Sequence, residues 1–271
     1  MNFALNHMTT PNLGYVEFLD LASRLGCVGV EVRNDLDQPL FDGMAPVEAG
    51  RIAAGKGLRL VGLSQVYPFN SWDQTRNEAV AALIATAKAA GAETISLIPR
   101  NDGTGLGNGE RQANLRVALK AFLPMLQDAG MIALVEPLGF LRSSLRLKKE
   151  LADTIDAVGG RGHFKIVHDT FHHALAGGGP IYPELTGIVH ISAVIDPALS
   201  LEQMEDEHRV LIDDRDRLDN VGQIAALLAG GYDGPVSYEC FSPQTHALAD
   251  PYSGIKRSFD YISSQIQVVA A

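Results

Sequence analysis

The chain has 271 residues, 46% of them hydrophobic, and carries 22 basic against 32 acidic side chains for a formal charge of −10. That size and apolar content give one large domain or two modest ones with ample core, and exclude a disordered chain; no apolar run reaches the about 20 residues of a transmembrane helix. The acidic balance argues against nucleic acid as the main partner, because phosphate-backbone binding takes clustered Lys and Arg.

The N-terminus, MNFALNHMTT, shows no basic region followed by an apolar one, so no secretion signal is expected and a cytoplasmic location is. Residues 2–6 read as a strand, and 15–25 as a helix with Phe18, Leu21, Ala22 and Leu25 on one stripe. Strands at 28–33 and 59–64 precede a helix at 73–90; a strand at 94–98 precedes a helix at 110–129. A strand at 131–136 leads to a helix at 145–158, then come strands at 164–168 and 187–191. A helix at 220–229, a strand at 235–239 and a helix at 251–268 complete the chain. Several strands, such as MIALVE and GIVHIS, are nearly continuous apolar runs, as expected where both faces of a parallel strand are covered. Gly26, Gly91, Gly130, Gly159 and Gly230 follow helices and fit the left-handed C-terminal position. Cys27 and Cys240 read as free thiols of a reducing compartment.

Eight strand–helix units in a single domain over 1–271 match a (β/α)8 TIM barrel, for which about 250 residues is typical. The competing doubly wound sheet carries G-x-G-x-x-G after its first strand, and that is absent here. DGTGLGNG at 102–109 follows the fourth strand instead and reads as a mobile surface loop.

In a barrel the site lies at the C-terminal rim, so the residues closing each strand carry the functional information. The last four strands end at Glu136, Asp169, His190 and Glu239. Unpaired buried carboxylates cost several kcal/mol each, and a divalent cation among them removes that cost. Two Glu, one Asp and one His, with no thiolate, suit Mn²⁺, Mg²⁺, Co²⁺ or Zn²⁺.

The motifs VEPLG, HDTFHH, VHIS and DEHRVLIDDRDRLDN, with VGVEVR at 28–33 and VSYECFSP at 236–243, make the sequence similar to the xylose-isomerase-like barrels. That group of sugar isomerases and epimerases includes inosose isomerases, ketose 3-epimerases and hydroxypyruvate isomerases. The resemblance implies one divalent metal held by Glu136, Asp169, His190 and Glu239, with His172 and Arg209 contacting substrate oxygens. EVR at 31–33 resembles most the inosose isomerase branch, where a strand-two Glu-Ile-Arg recurs. The glutamate that many epimerases carry soon after the first metal ligand is missing from 137–141.

The chemistry so implied moves a proton beside a carbonyl through a metal-stabilised enediolate, with Glu136 and Glu239 dividing the acid and base work. His7 and Gln65, just past strands one and three, are expected to line the pocket and touch substrate. Trp72, Tyr67 and Phe69 are placed either over a sugar or cyclitol ring or in packing beneath a loop. Glu31 and Arg33 are expected to form an internal ion pair. Cys240 is expected to point away from the site. The small-molecule substrate is then a polyhydroxy ketone, most consistent with an inosose in inositol catabolism, and the chain is compatible with a homo-oligomer. A lyase of the 3-dehydroshikimate dehydratase type, an apurinic endonuclease and a non-catalytic sugar sensor are the competing readings.

Overall fold

The computed structural model describes residues 1–269, so Ala270 and Ala271 of the expected 1–271 domain lie outside the described residues. The described residues hold eight strands: β1 (Phe3–Asn6), β2 (Gly29–Arg33), β3 (Arg59–Val66), β4 (Thr94–Leu97), β5 (Ile132–Val135), β6 (Phe164–Asp169), β7 (Thr186–Ile191) and β8 (Val236–Tyr238). All pair in parallel and in sequence order, and β8 returns to β1 through Phe3–Val236, Ala4–Ser237 and Leu5–Tyr238, closing the barrel. The helices are α1 (Tyr15–Arg24), α2 (Pro46–Gly55), α3 (Gln74–Ala90), α4 (Glu110–Ala129), α5 (Lys148–Ala157), α6 (Thr170–Leu175), α7 (Asn220–Ala229), α8 (Pro243–His246) and α9 (Pro251–Val269). The (β/α)8 expectation holds.

Alternation along the strands separates two apolar regions. Outward residues such as Leu5, Val30, Ile95, Ile166 and Val189 meet the helices in the main core. Inward residues Ala4, Val61, Leu134, Val167 and Ile188 form a separate cluster inside the barrel. Two residues further along the same strands the inward positions turn polar: Asn6, Glu136, Asp169 and His190, joined by Glu31 and Ser237, are all buried. The strands thus carry a dry plug below and a polar chamber above.

Three helices, α2, α6 and α8, lie where no helix was expected. α2 starts with Pro46 and packs on the end of α3 so closely that a Cβ on Gly50 would stand 2.0 Å from the carbonyl oxygen of Ala90. One glycine expectation is corrected. Gly230 has φ −79° and is required by a neighbour instead, since a Cβ there would lie 2.4 Å from Cγ of Pro183. The left-handed residue after α7 is Gly231, at φ 89°. The 102–109 segment is largely exposed, as a surface loop should be. No described helix is long and apolar enough to cross a membrane. Cys27 and Cys240 are both free and buried.

Candidate metal centre and active site

Each strand-end candidate ligand is placed by the same local device, an apolar strand that runs out at the rim. β5 and β8 end one residue before Glu136 and Glu239, whose backbone amides donate to the carbonyls of Leu97 and Ile191 on the neighbouring strands. Asp169 closes β6 and caps α6, accepting from the His172 amide at 2.8 Å. His190 sits on β7, inside the barrel. One ligand atom from each of Glu136, Asp169, His190 and Glu239 lies within 4.8 Å of the others. Ligands about 2.1 Å from one ion stand at most roughly 4.2 Å apart, so small side-chain adjustments bring this set onto a single cation.

Two further observations fit a divalent ion. His190 Nδ1 and Glu136 Oε1 face each other at 3.5 Å, both buried and both without a hydrogen-bond partner. The other ring nitrogen, Nε2, is held at 2.9 Å by Glu31, which in turn accepts from the Ser237 hydroxyl at 2.6 Å. A carboxylate on the far side of an imidazole is the usual way a metal-binding histidine is oriented. The charge count agrees: Glu31, Glu136, Asp169 and Glu239 are opposed within the buried chamber by Arg33 and Arg209 alone, which leaves two negative charges if His190 is neutral.

The guanidinium groups are deeply set. Arg209 is 1% exposed and donates through Nη2 to Asp169 at 2.5 Å and to Glu239 at 3.2 Å, and through Nε to the Ser192 hydroxyl at 2.9 Å. Its place is fixed by the neighbouring antiparallel bridge between Ala193 and Val210, which folds the long loop after β7 back onto the rim. Arg33 donates to Glu239 at 2.6 Å and clasps Asp35 with its other two nitrogens at 2.8 and 2.7 Å. This corrects the expected Glu31–Arg33 pair: inside a closed barrel Glu31 meets His190, and Arg33 turns to Glu239.

The two glutamates therefore differ. Burial, and then the Glu239 charge, push the Glu136 carboxyl above the usual range. Burial acts on Glu239 in the same direction but is outweighed by His190, Arg209 and Arg33, which hold it well below that range. Asp169 is held down too, Arg209 overcoming burial. His190 is raised well above its ordinary value because Glu31 and Glu239 outweigh its desolvation.

A cavity of about 220 Å³ opens above the cluster, lined by Glu136, His190 and Glu239 together with His172, Arg209, Arg33 and Gln65. Its apolar wall comes from Tyr67, Leu138, Phe140 and Phe241. Of the residues singled out in the sequence, Gln65 is at this cavity, donating to Asp35 at 2.8 Å. His7 is not: its Nε2 lies 2.9 Å from the Leu13 carbonyl, and its ring stacks on Phe18 at 4.1 Å, so packing occupies it. Phe69 is wholly buried in the core and Trp72 is 43% exposed away from the lining, which leaves Tyr67 alone of the three aromatics at the site. Cys240 faces away, as alternation required, its amide bonded to the Thr9 hydroxyl. Phe140 and Phe241 were missed because both lie in loops, where no periodicity gives direction. Asp206 was missed as well; it accepts from Arg209 at 3.1 Å.

Known proteins share this fold. A crystal structure of a xylose isomerase domain-containing protein from Salmonella typhimurium LT2 superposes with a TM-score of 0.89 at 29% identity, covering 98% of this chain and 97% of that one. The IOLI protein crystallised with a zinc atom gives 0.86 at 18% identity over 98% and 99%. D-psicose 3-epimerase from Clostridium cellulolyticum H10, crystallised with D-tagatose, gives 0.76 at 14% identity over 98% and 99%. Comparison with curated proteins gave no match. The family model described as xylose isomerase-like TIM barrel matches residues 19–265, nearly the whole barrel, and the chain belongs to that family.

Proposed function

We propose that the protein is a divalent-metal-dependent isomerase or epimerase of a small polyhydroxy ketone, with an inosose as the first substrate to test. The observation that carries this reading is the convergence of Glu136, Asp169, His190 and Glu239 on one point beneath a cavity walled by His172 and two buried arginines. The zinc of the IOLI structure and the sugar epimerase among the structural neighbours support it. When bound, the ion supplies Lewis-acid stabilisation of the oxygen charge that grows beside a carbon losing its proton.

The chain's own residues do the rest. Glu136, with an unpartnered Oε1, takes the proton from the hydroxyl-bearing carbon and delivers it to the carbonyl carbon, while His172 passes the hydroxyl proton to the former carbonyl oxygen. Glu239 has one oxygen held by Arg33 and Asn6 and the other by Arg209, so it stays an anion and serves as the fixed second carboxylate. His172 offers a ring nitrogen to a substrate oxygen, and Arg209 adds a cation whose position changes little during reaction. Phe140, Phe241 and Tyr67 cover the apolar face of the carbon skeleton. The cavity is below the about 300–1,000 Å³ of sites for drug-sized ligands, in keeping with a six-carbon substrate.

The test is proton NMR in D2O across keto-inositols, ketohexoses, hydroxypyruvate and 3-dehydroshikimate. Deuterium should appear beside the carbonyl of a keto-inositol, cease after chelation, and resume on adding Mn²⁺ or Co²⁺. Glu136→Gln should lower turnover by about 10²–10⁴-fold, the usual weight of a positioned proton carrier. Loss of water from dehydroshikimate without exchange in any ketose would assign the lyase chemistry instead.

A further inference from the structure

A second cavity, of about 180 Å³, lies beside the candidate active site and shares the His172 ring with it as a common wall. Its lining is strongly basic: Arg146, Lys148 and Lys149 at the start of α5, His173 from α6, and Gly179 in the loop that follows. No carboxylate lines it. Lys149 is neutralised at the surface by Asp153 at 2.7 Å. Arg146 and Lys148, by contrast, have no carboxylate within 4.0 Å among the described residues. The Arg146 guanidinium donates only to backbone carbonyls, of Gly139 at 3.0 Å and Leu175 at 3.2 Å.

Lys148 is the more telling of the two. It is 8% exposed, and its ammonium finds only the Nδ1 atom of His173, at 2.7 Å. Burial pushes His173 down to about 4, so that ring is neutral and brings no counter-charge. A buried ammonium that Asp169 reaches only at a distance, with no carboxylate in contact, is expensive, and a chain that keeps one beside a cavity leaves room for an anion to compensate it. Two independent features point the same way. α5 begins here with Leu147 as its N-cap and no side-chain cap, so its first amides are free to donate toward the cavity. His172, 4% exposed, carries a buried Nδ1 with no partner.

We propose that this cavity is an oxyanion site that takes a phosphate group, held by Arg146, Lys148 and the first amides of α5. Phosphate rather than carboxylate follows from the donors: two basic side chains with no carboxylate in contact and a helix N-terminus match a group carrying close to two negative charges, which would also hold Lys148 in its charged form. Through His172, an occupied site touches the wall of the catalytic cavity.

The experiment is calorimetric titration of inorganic phosphate into the metal-loaded full chain, with acetate as a second probe. Saturable binding of a single phosphate, tighter than acetate, is expected. Arg146→Gln and Lys148→Met should each weaken it by about 10- to 100-fold, the loss usual for one charge-assisted contact. Glu136→Gln, in the neighbouring cavity, should leave it unchanged. Arg146 is half-buried, so its variant keeps the test valid if Lys148→Met fails to fold. The proposal is overturned by absence of saturation, by tighter acetate binding, by binding indifferent to both basic variants, or by binding lost in Glu136→Gln.

Discussion

At position 31 a strand-two glutamate, 0% exposed, spends both oxygens on His190 Nε2 and one of them also on Ser237. A carboxylate in that place fixes the ring so that Nδ1 faces the chamber, and raises its basicity as a ligand. Glu31→Gln keeps the shape and removes the charge. It should weaken divalent-metal binding by about 10- to 100-fold in a chelator competition, while the barrel's circular dichroism stays unchanged. Equal metal affinity in the variant would remove Glu31 from the centre. The four candidate ligands were legible because a polar residue ending an apolar run is conspicuous in sequence. Glu31's role was not, since its partner lies 159 positions away on a strand that is not its neighbour, and only barrel closure brings the two together. His7 failed for the converse reason: it occupies a rim position but turns into packing against Phe18.

Among the elements, α2 was the long helix that periodicity did not reveal. Its sequence, PVEAGRIAAG, contains two glycines and buries only Ala49 and Ala53, so it offers neither strong propensity nor a wide apolar stripe. Contact with α3 makes it a helix, and Gly50 permits the contact. In an exposed helix interior a Gly→Ala change gains up to about 1 kcal/mol. At position 50 the sign should reverse, because the added methyl meets the Ala90 carbonyl and the two helices must separate. Gly50→Ala should cost about 1–3 kcal/mol, the range for overpacking, read as a lower denaturant midpoint. The strands, by contrast, were placed to within a residue or two, because their buried runs of β-branched and aliphatic side chains have a single use in a closed parallel barrel.

For the molecule as a whole, Lys148 sets a dependence of stability on pH. Burial pushes its ammonium down to about 7, whereas the unfolded chain titrates near 10.4. Between those values the unfolded state binds more protons than the folded one, so stability rises with pH across that window. Below about pH 7 both states are protonated and the folded chain bears the full cost. Denaturant unfolding from pH 7 to 10 should show this rise in the parent chain and a flatter profile in Lys148→Met. The whole-molecule plan was plain from the alternation of strand and helix, but the basic side cavity was not, because Arg146 and Lys148 at the start of α5 meet His173 of α6, 25 positions beyond Lys148, only in the folded barrel.

The layer of Ala4, Val61, Leu134, Val167 and Ile188 has its own consequence. It stoppers the lower end of the barrel, turning the chamber above into a blind vessel with one doorway. Whatever seats last stands between the ion-binding floor and bulk water. An ion held at that floor would be reached only through the rim, and an organic molecule seated in the doorway would shut it off from bulk water.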